Sequence, residues 1–156
     1  MLTFRDITPG DRDLVIPMVR DFYQSDAVDH PVDAAVLERS FQAAAGPAEP
    51  LLRGLLIQWE GRPAGYMYIT QCYSAEVGGR CVFIEEIFLK PEFRGQGLGT
   101  EIMAWLEREY PAARRSGWRS PRSIKGPSAC ISGRGMNFCV TTRWCWTKST
   151  ERGRIL

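Results

Sequence analysis

Apolar and polar positions recur with a readable period over the first two-thirds of the chain, and each change of period marks an element boundary. Residues Met1 to Ile7 alternate as a short strand. Thr8-Pro9-Gly10-Asp11 then carries the marks of a helix start: a threonine N-cap, a proline in the first turn and an acid that reaches back. Leu14, Val15, Met18, Val19 and Phe22 follow at helical spacing, with Pro17 inside the pattern as a predicted kink. Val36, Leu37, Phe41 and Ala44 line one face of a second helix that stops at Gly46-Pro47. Leu51 to Trp59 and Gly65 to Tyr73 are strand-like runs. Glu60-Gly61-Arg62-Pro63 between them predicts a turn, and therefore an antiparallel hairpin.

The next run, Val82 to Leu89, is rich in β-branched and aromatic residues and is ended by Pro91, which predicts another strand. Beyond it Leu98, Ile102, Trp105 and Leu106 repeat at helical spacing, so TEIMAWLEREY reads as an amphipathic helix. Gly95, Gly97 and Gly99 thus fall in a strand-to-helix turn. A helix start offers unpaired N–H groups and the positive end of the macrodipole, and residues without Cβ let an anion approach the backbone, so a pyrophosphate fits there. Two phosphate loops are excluded by spacing. Thr100 stands where the last glycine of the dinucleotide fingerprint belongs, and no Lys-Ser or Lys-Thr follows to make a Walker loop.

The segment Arg94-Gly95-Gln96-Gly97-Leu98-Gly99, preceded by IEEIFLKPEF, resembles the coenzyme A signature of the GNAT superfamily of acyl-CoA-dependent N-acetyltransferases. WEGRPAGYMYI resembles that family's hairpin between its second and third strands. The resemblance implies an α/β (α+β) fold, a mixed, mainly antiparallel central sheet flanked by helices. It divides the chain into an acetyl-CoA-binding half, residues 1–113, and a segment 114–156 that departs from the family and stands irregularly in place of its last strands and helix. Acetyl-CoA is the implied cosubstrate, with no metal. Its pyrophosphate is expected on the amides of Arg94, Gly95, Gln96, Gly97, Leu98, Gly99 and Thr100, and its pantetheine arm along the strand edge at Ile87, Phe88 and Leu89. A backbone N–H near Phe88 is expected to hold the thioester carbonyl and stabilise the oxyanion. Arg94 adds charge at the phosphates or packs on the helix surface.

Transfer to an amine needs the neutral nucleophile, and an alkyl ammonium with a pKa near ~10.4 leaves only about one molecule in ~10³ neutral at pH 7. A positioned base is therefore worth several orders of magnitude. Glu85 and Glu86 are the carboxylates placed for it. Strand alternation predicts that they point to opposite faces, so only one meets the acyl group. The resemblance puts the base at Glu85, with Glu86 second; a solvated or salt-bridged strand acid is the bland account of either. His30, the single histidine, lies with Tyr23 and Asp26 in the region that lines the acceptor site in many family members, and a solvent-exposed loop histidine is the plainer account of it. Tyr66, Tyr68 and Tyr73 read as sheet packing.

Composition changes this picture at one end only. At 156 residues and net charge +2 the chain fits one domain with a sizeable core and demands no polyanionic partner. The amino end, MLTFRDITPGD, lacks the basic and then apolar run of a signal peptide, and no stretch is apolar enough to span a membrane, so a cytoplasmic protein with reduced thiols is expected. The expected partners are a small-molecule amine or peptide, with no nucleic acid and no membrane, and a homodimer is admitted.

Ten of the twenty Lys and Arg residues follow Pro111, with one of the eighteen acids, Glu151, three of five cysteines and three of five tryptophans. Those basic residues follow no face or repeat, which argues against a single-strand binding surface. Shifting the reading frame back by one base keeps two bases of every codon. Trp118 to Lys148 then admits LEVTP-x-NKGAVRLYQRAGYEFLRYDQMVLDK, which looks like the missing family half, with a Leu-Tyr helix whose tyrosine falls at Ile131. The expected junction lies between Arg114 and Gly117. The family's general-acid tyrosine is then absent from the chain, and weak or no transfer is expected.

Overall fold

The computed structural model describes residues 1–25, 31–75 and 78–111. Within them a four-stranded antiparallel sheet in the order β1-β2-β3-β4 carries three α-helices. The strands are β1 (Leu2–Asp6), β2 (Leu52–Trp59), β3 (Arg62–Ser74) and β4 (Gly79–Leu89). The helices are α1 (Arg12–Tyr23), α2 (Ala34–Ala44) and α3 (Leu98–Glu109). The expected mixed fold is therefore observed. The expectations for Asp26, His30 and the segment after residue 113 lie outside the described residues.

Each face of the sheet buries its own apolar layer. Leu56 of β2, Tyr66 and Tyr68 of β3 and Phe88 of β4 pack with Val15, Val19, Phe22, Leu37 and Phe41 of α1 and α2. On the other face Leu55, Ile57, Met67, Ile69, Val82 and Ile84 pack with Leu98, Ile102, Met103 and Leu106 of α3. Phe4 of β1 stacks on Trp105 of α3 with ring centroids 4.1 Å apart. The period-2 and period-3.6 patterns of the sequence are these two contact surfaces.

Local chemistry fixes the boundaries. The Asp11 carboxylate accepts from the Thr8 N–H and hydroxyl, both at 2.8 Å, and receives Arg5 at 2.6 Å. This closes the single 3₁₀ turn Pro9–Asp11 ahead of α1. Helix α1 then runs continuously through Pro17. The β2–β3 turn is tighter than expected. Trp59 pairs with Arg62, so only Glu60 and Gly61 turn, both left-handed at φ 50° and 76°. Val36 of α2 faces outward at 38% exposure and is not part of the buried face.

Candidate active site

The site is built around one irregularity in β4. Tyr68 pairs with Glu86, but the next residue of β3, Ile69, pairs with Ile84, so Glu85 is an extra residue in a β-bulge. The consequence can be read from the two core layers. Val82 and Ile84 lie on the α3 face, whereas Glu86 and Phe88, which regular alternation would put beside them, lie on the α1/α2 face. Glu85 accepts a hydrogen bond at 2.7 Å from Thr70 Oγ1, whose strand position puts it on the same face as Tyr66 and Tyr68. The expectation that the two glutamates point to opposite faces is thus overturned. The bulge brings both carboxylates to one side.

Their surroundings differ. Glu86 is 9% exposed, and its two oxygens accept from the Tyr23 and Tyr66 hydroxyls, each at 2.7 Å. Burial pushes its carboxyl above the usual range, the charge of Glu85 adds to this, and the two tyrosine hydrogen bonds oppose it. Burial, and then the charge of Glu86, raises the Tyr23 and Tyr66 hydroxyls well above the ordinary phenol value, so both keep their protons. Glu85 is only partly buried. Tyr23, the last residue of α1, is thereby tied to the middle of β4. Tyr66 and Tyr68 pack in the sheet as expected, while Tyr73 stands 71% exposed at the far end of β3 and is not sheet packing. Tyr66 and Thr70 as partners of the glutamates were not read from the sequence; the one hint was two acids inside an otherwise apolar strand.

At the end of β4 the backbone groups divide by direction. A Cβ at Gly65 would overlap the Phe88 carbonyl oxygen, so that carbonyl is turned toward β3. Across the same trans peptide the Leu89 N–H points the other way, out of the far edge of the strand. The Lys90 N–H reaches the Ala64 carbonyl at 2.9 Å, which turns the Leu89 carbonyl outward as well. Arg94 Nε donates to that carbonyl at 2.7 Å, and its guanidinium lies 5.4 Å over the Phe88 ring. Arg94 thus packs on the strand end and not on the helix surface. Ile87 and Leu89 lean on the α3 layer.

The glycine turn has the shape an anion needs. Buried Phe93 anchors the 3₁₀ turn Pro91–Phe93, and Gln96 Nε2 donates back to the Glu92 carbonyl at 2.7 Å. Gly95 and Gly97 are left-handed at φ 72° and 78°, and a Cβ on either would meet nothing within 4 Å. Open space therefore lies where side chains would otherwise stand. Gly97 caps α3, and its carbonyl receives the Thr100 N–H at 3.0 Å. The amides of Leu98 and Gly99 open the helix without an intrahelical acceptor. Leu98 sends its side chain into the α3 core. Gly99 is already in the first helical turn and not in the loop.

The model of the acetyltransferase (GNAT) family matches residues 16–117. The chain belongs to this family. The GNAT domain is similar to a thialysine N-epsilon-acetyltransferase of Sus scrofa, 26% identical over 110 residues that make up 64% of this chain. The chain spans 61% of that relative's length. Among solved structures it is similar to an integron cassette protein from the mobile metagenome of Cole Harbour Salt Marsh. There the TM-score is 0.59 and the identity 24%, over 80% of this chain and 91% of that one. A predicted acetyltransferase from Clostridium acetobutylicum, solved with acetyl-CoA, matches with TM-score 0.55 and 19% identity, over 71% and 74% of the two chains. Both likenesses show the GNAT fold. The empty Cβ positions of Gly95 and Gly97 beside the opening amides of α3 fit the pyrophosphate of the coenzyme A that the family implies. Among the described residues no helix is long and apolar enough to cross a membrane.

Proposed function

We propose that the chain transfers an acetyl group to a primary amine of a small molecule or a peptide N-terminus, with Glu85 as the general base. The observation that carries this reading is the bulge, which sets a partly buried carboxylate on the same strand as the glycine turn and a few residues before it. Acetyl-CoA, when bound, supplies the activated acyl group as a thioester. The amides from Gly95 to Gly99 hold its phosphates, since the N–H groups of Arg94 and Thr100 are already given to the Pro91 and Gly97 carbonyls, and Ile87 to Leu89 line its arm. The outward Leu89 N–H is the donor available to a carbonyl oxygen, which narrows the expectation of an amide near Phe88 to one peptide unit. Glu85 takes the proton that an alkyl ammonium must lose. Glu86 is the poorer base, because both its oxygens are held by tyrosine hydroxyls. The thialysine relative supports a lysine-like or other small aliphatic amine as acceptor. A panel of amines assayed by release of the coenzyme A thiol tests this: one or more aliphatic amines should give turnover, and a panel silent with a frame-restored chain would refute it.

A second reading concerns the segment 114–156. We propose that it is the product of a frame shift between Arg114 and Gly117, leaving a domain that binds coenzyme A and transfers weakly. Its composition supports this, as does the family match, which ends at residue 117. Nucleotide sequencing across the junction and an intact-mass measurement test it. Restoring the other frame should raise turnover by at least about 10², the lower end of what positioned acid–base catalysis contributes. Equal rates from both chains would remove the proposal.

A further inference from the structure

We propose that Cys72 and Cys81 are a redox modification site: a thiol pair that a peroxide oxidises reversibly to a disulfide, which locks the β3–β4 register created by the bulge.

Cys72 of β3 stands directly opposite Cys81 of β4, and both are thiols. Their meeting is a product of the bulge. Continued without an extra residue from Tyr68 opposite Glu86, the ladder would set Ile69 against Glu85 and Cys72 against Val82. With Glu85 bulged, every upstream partner moves by one position and the two cysteines face each other. They lie on the side of the sheet that carries the glutamates. Cys72 follows Thr70 by two positions in β3, and Cys81 is out of phase with Val82 of the α3 layer.

The strand geometry admits the bond. Directly opposed residues of an antiparallel pair have Cα atoms about 4.5–5.5 Å apart, within the about 4.4–6.8 Å that a disulfide spans. Their Cβ atoms, at about 4.5–5.5 Å, must close to about 3.5–4.5 Å. Only the pairs Tyr73–Arg80 and Ser74–Gly79 lie beyond the cysteines, so this end of the ladder can close more readily than its middle.

Exposure divides the roles. Cys72 is exposed and Cys81 buried, and a peroxide needs a thiolate that it can reach. The Cys72 thiolate attacks one peroxide oxygen and the O–O bond breaks. Cys72 becomes a sulfenic acid, and the departing hydroxide takes up the proton that the thiol had lost and leaves as water. The Cys81 sulfur then attacks the Cys72 sulfur, the S–O bond breaks, and a second water leaves with the Cys81 proton. Two thiols have given up two electrons, and the peroxide is reduced to water. Cys81 surrenders only a weak thiol hydrogen bond to the Gly79 carbonyl, at 3.9 Å. A dithiol reductant restores both thiols by exchange. The link forms only in the bulged register, and once formed it forbids the slip that would return Glu85 to the ladder.

Peptide mapping tests this on the full chain and on the full chain carrying Cys130→Ser, Cys139→Ser and Cys145→Ser. Each is treated with hydrogen peroxide, unfolded, alkylated and digested. Trypsin cuts after Arg80, between the two cysteines, and spares Arg62 and Lys90, which precede proline. Fragments 54–80 and 81–94 should therefore appear joined, lighter by two hydrogens than their sum, and dithiothreitol should separate them. Hydrogen exchange of the amides of residues 83–86 should slow by at least about tenfold on oxidation, below the typical contribution of a disulfide, and recover on reduction. Cys81→Ser should abolish both effects. A sulfinic acid at Cys72 beside a Cys81 thiol, a link between two chains in place of one within a chain, or unchanged exchange in the linked protein would overturn the proposal.

Discussion

The guanidinium of Arg94 lies 5.4 Å over the ring of Phe88 while its Nε donates to the carbonyl of Leu89, so one side chain joins the glycine turn to the end of β4. An exposed cation–π contact is worth about 0.5–1 kcal/mol and one hydrogen bond about 0.5–1.5 kcal/mol. Arg94→Gln is expected to raise the Kd for acetyl-CoA by about three- to tenfold, and to change that for adenosine 3′,5′-bisphosphate less, because the lost contacts lie on the strand and not at a phosphate. Equal weakening of both ligands would assign the guanidinium to the phosphates.

Glu85→Gln should separate chemistry from binding. In a chain with the family's C-terminal half restored, amine-dependent thiol release is expected to fall by about 10²–10⁴, the usual contribution of a positioned base. The Kd for acetyl-CoA should hardly move, because Glu85 bonds Thr70 and nothing in the loop. Full activity in the variant would exclude Glu85 as the base.

Two glycines give a contrast that isolates the cofactor turn. Gly97 needs φ 78° but has open space beside it, so Gly97→Ala should cost about 1–2 kcal/mol of stability for the left-handed backbone, and weaken acetyl-CoA by filling that space. Gly54 has no such freedom. A Cβ there would stand 2.9 Å from the Ala44 carbonyl and 3.2 Å from Ile7, so Gly54→Ala should separate α2 from β2 and destabilise the fold. Urea midpoints and acetyl-CoA titration of both variants read the difference: only Gly97→Ala should lower affinity beyond what unfolding explains.

Stability should depend on pH through two carboxyls of opposite sign. Glu86 is raised, chiefly by burial, so between the unfolded value near ~4.3 and its folded one the native state holds a proton the unfolded chain has lost. Stability therefore falls as pH rises through that window. Asp11 is lowered, chiefly by its Arg5 hydrogen bond, so its contribution is present above the ordinary carboxylate value and is lost as pH falls through the lowered one. Glu86→Gln should flatten the first limb and Asp11→Asn the second, in urea midpoints followed from about pH 2 to about pH 8. An unaltered upper limb in Glu86→Gln would place that titration elsewhere.

Much of this architecture is legible in the residues themselves. Helices α1, α2 and α3 follow from Val15, Leu37 and Ile102 and their neighbours at helical spacing, and the turn between β4 and α3 from Pro91, Gly95 and Gly97. Those signals are local, because period and backbone freedom are properties of a few adjacent residues. The bulge is not local. Whether Glu85 is in or out of step depends on how β3 pairs with β4, a register that no residue of β4 encodes alone. The partners Tyr66, Thr70 and Tyr23 were hidden for the same reason: they stand 15 to 63 positions away along the chain. Arg94 could be read as a cation near phosphates from its motif, but its place over Phe88 needs the strand end in three dimensions.

The extra residue at Glu85 is also the one place where this strand could be shortened without turning its core. Its removal would leave Tyr68 opposite Glu86 and Ile69 opposite Ile84, so Val82 and Ile84 would stay in the α3 layer and Glu86 and Phe88 on the α1/α2 face. The ladder would become regular, and the hydroxyls of β3 would face a single acid. A register slip that kept every residue would instead turn Val82 and Ile84 out of the α3 layer, so the bulge is what lets this core and a second acid share one strand.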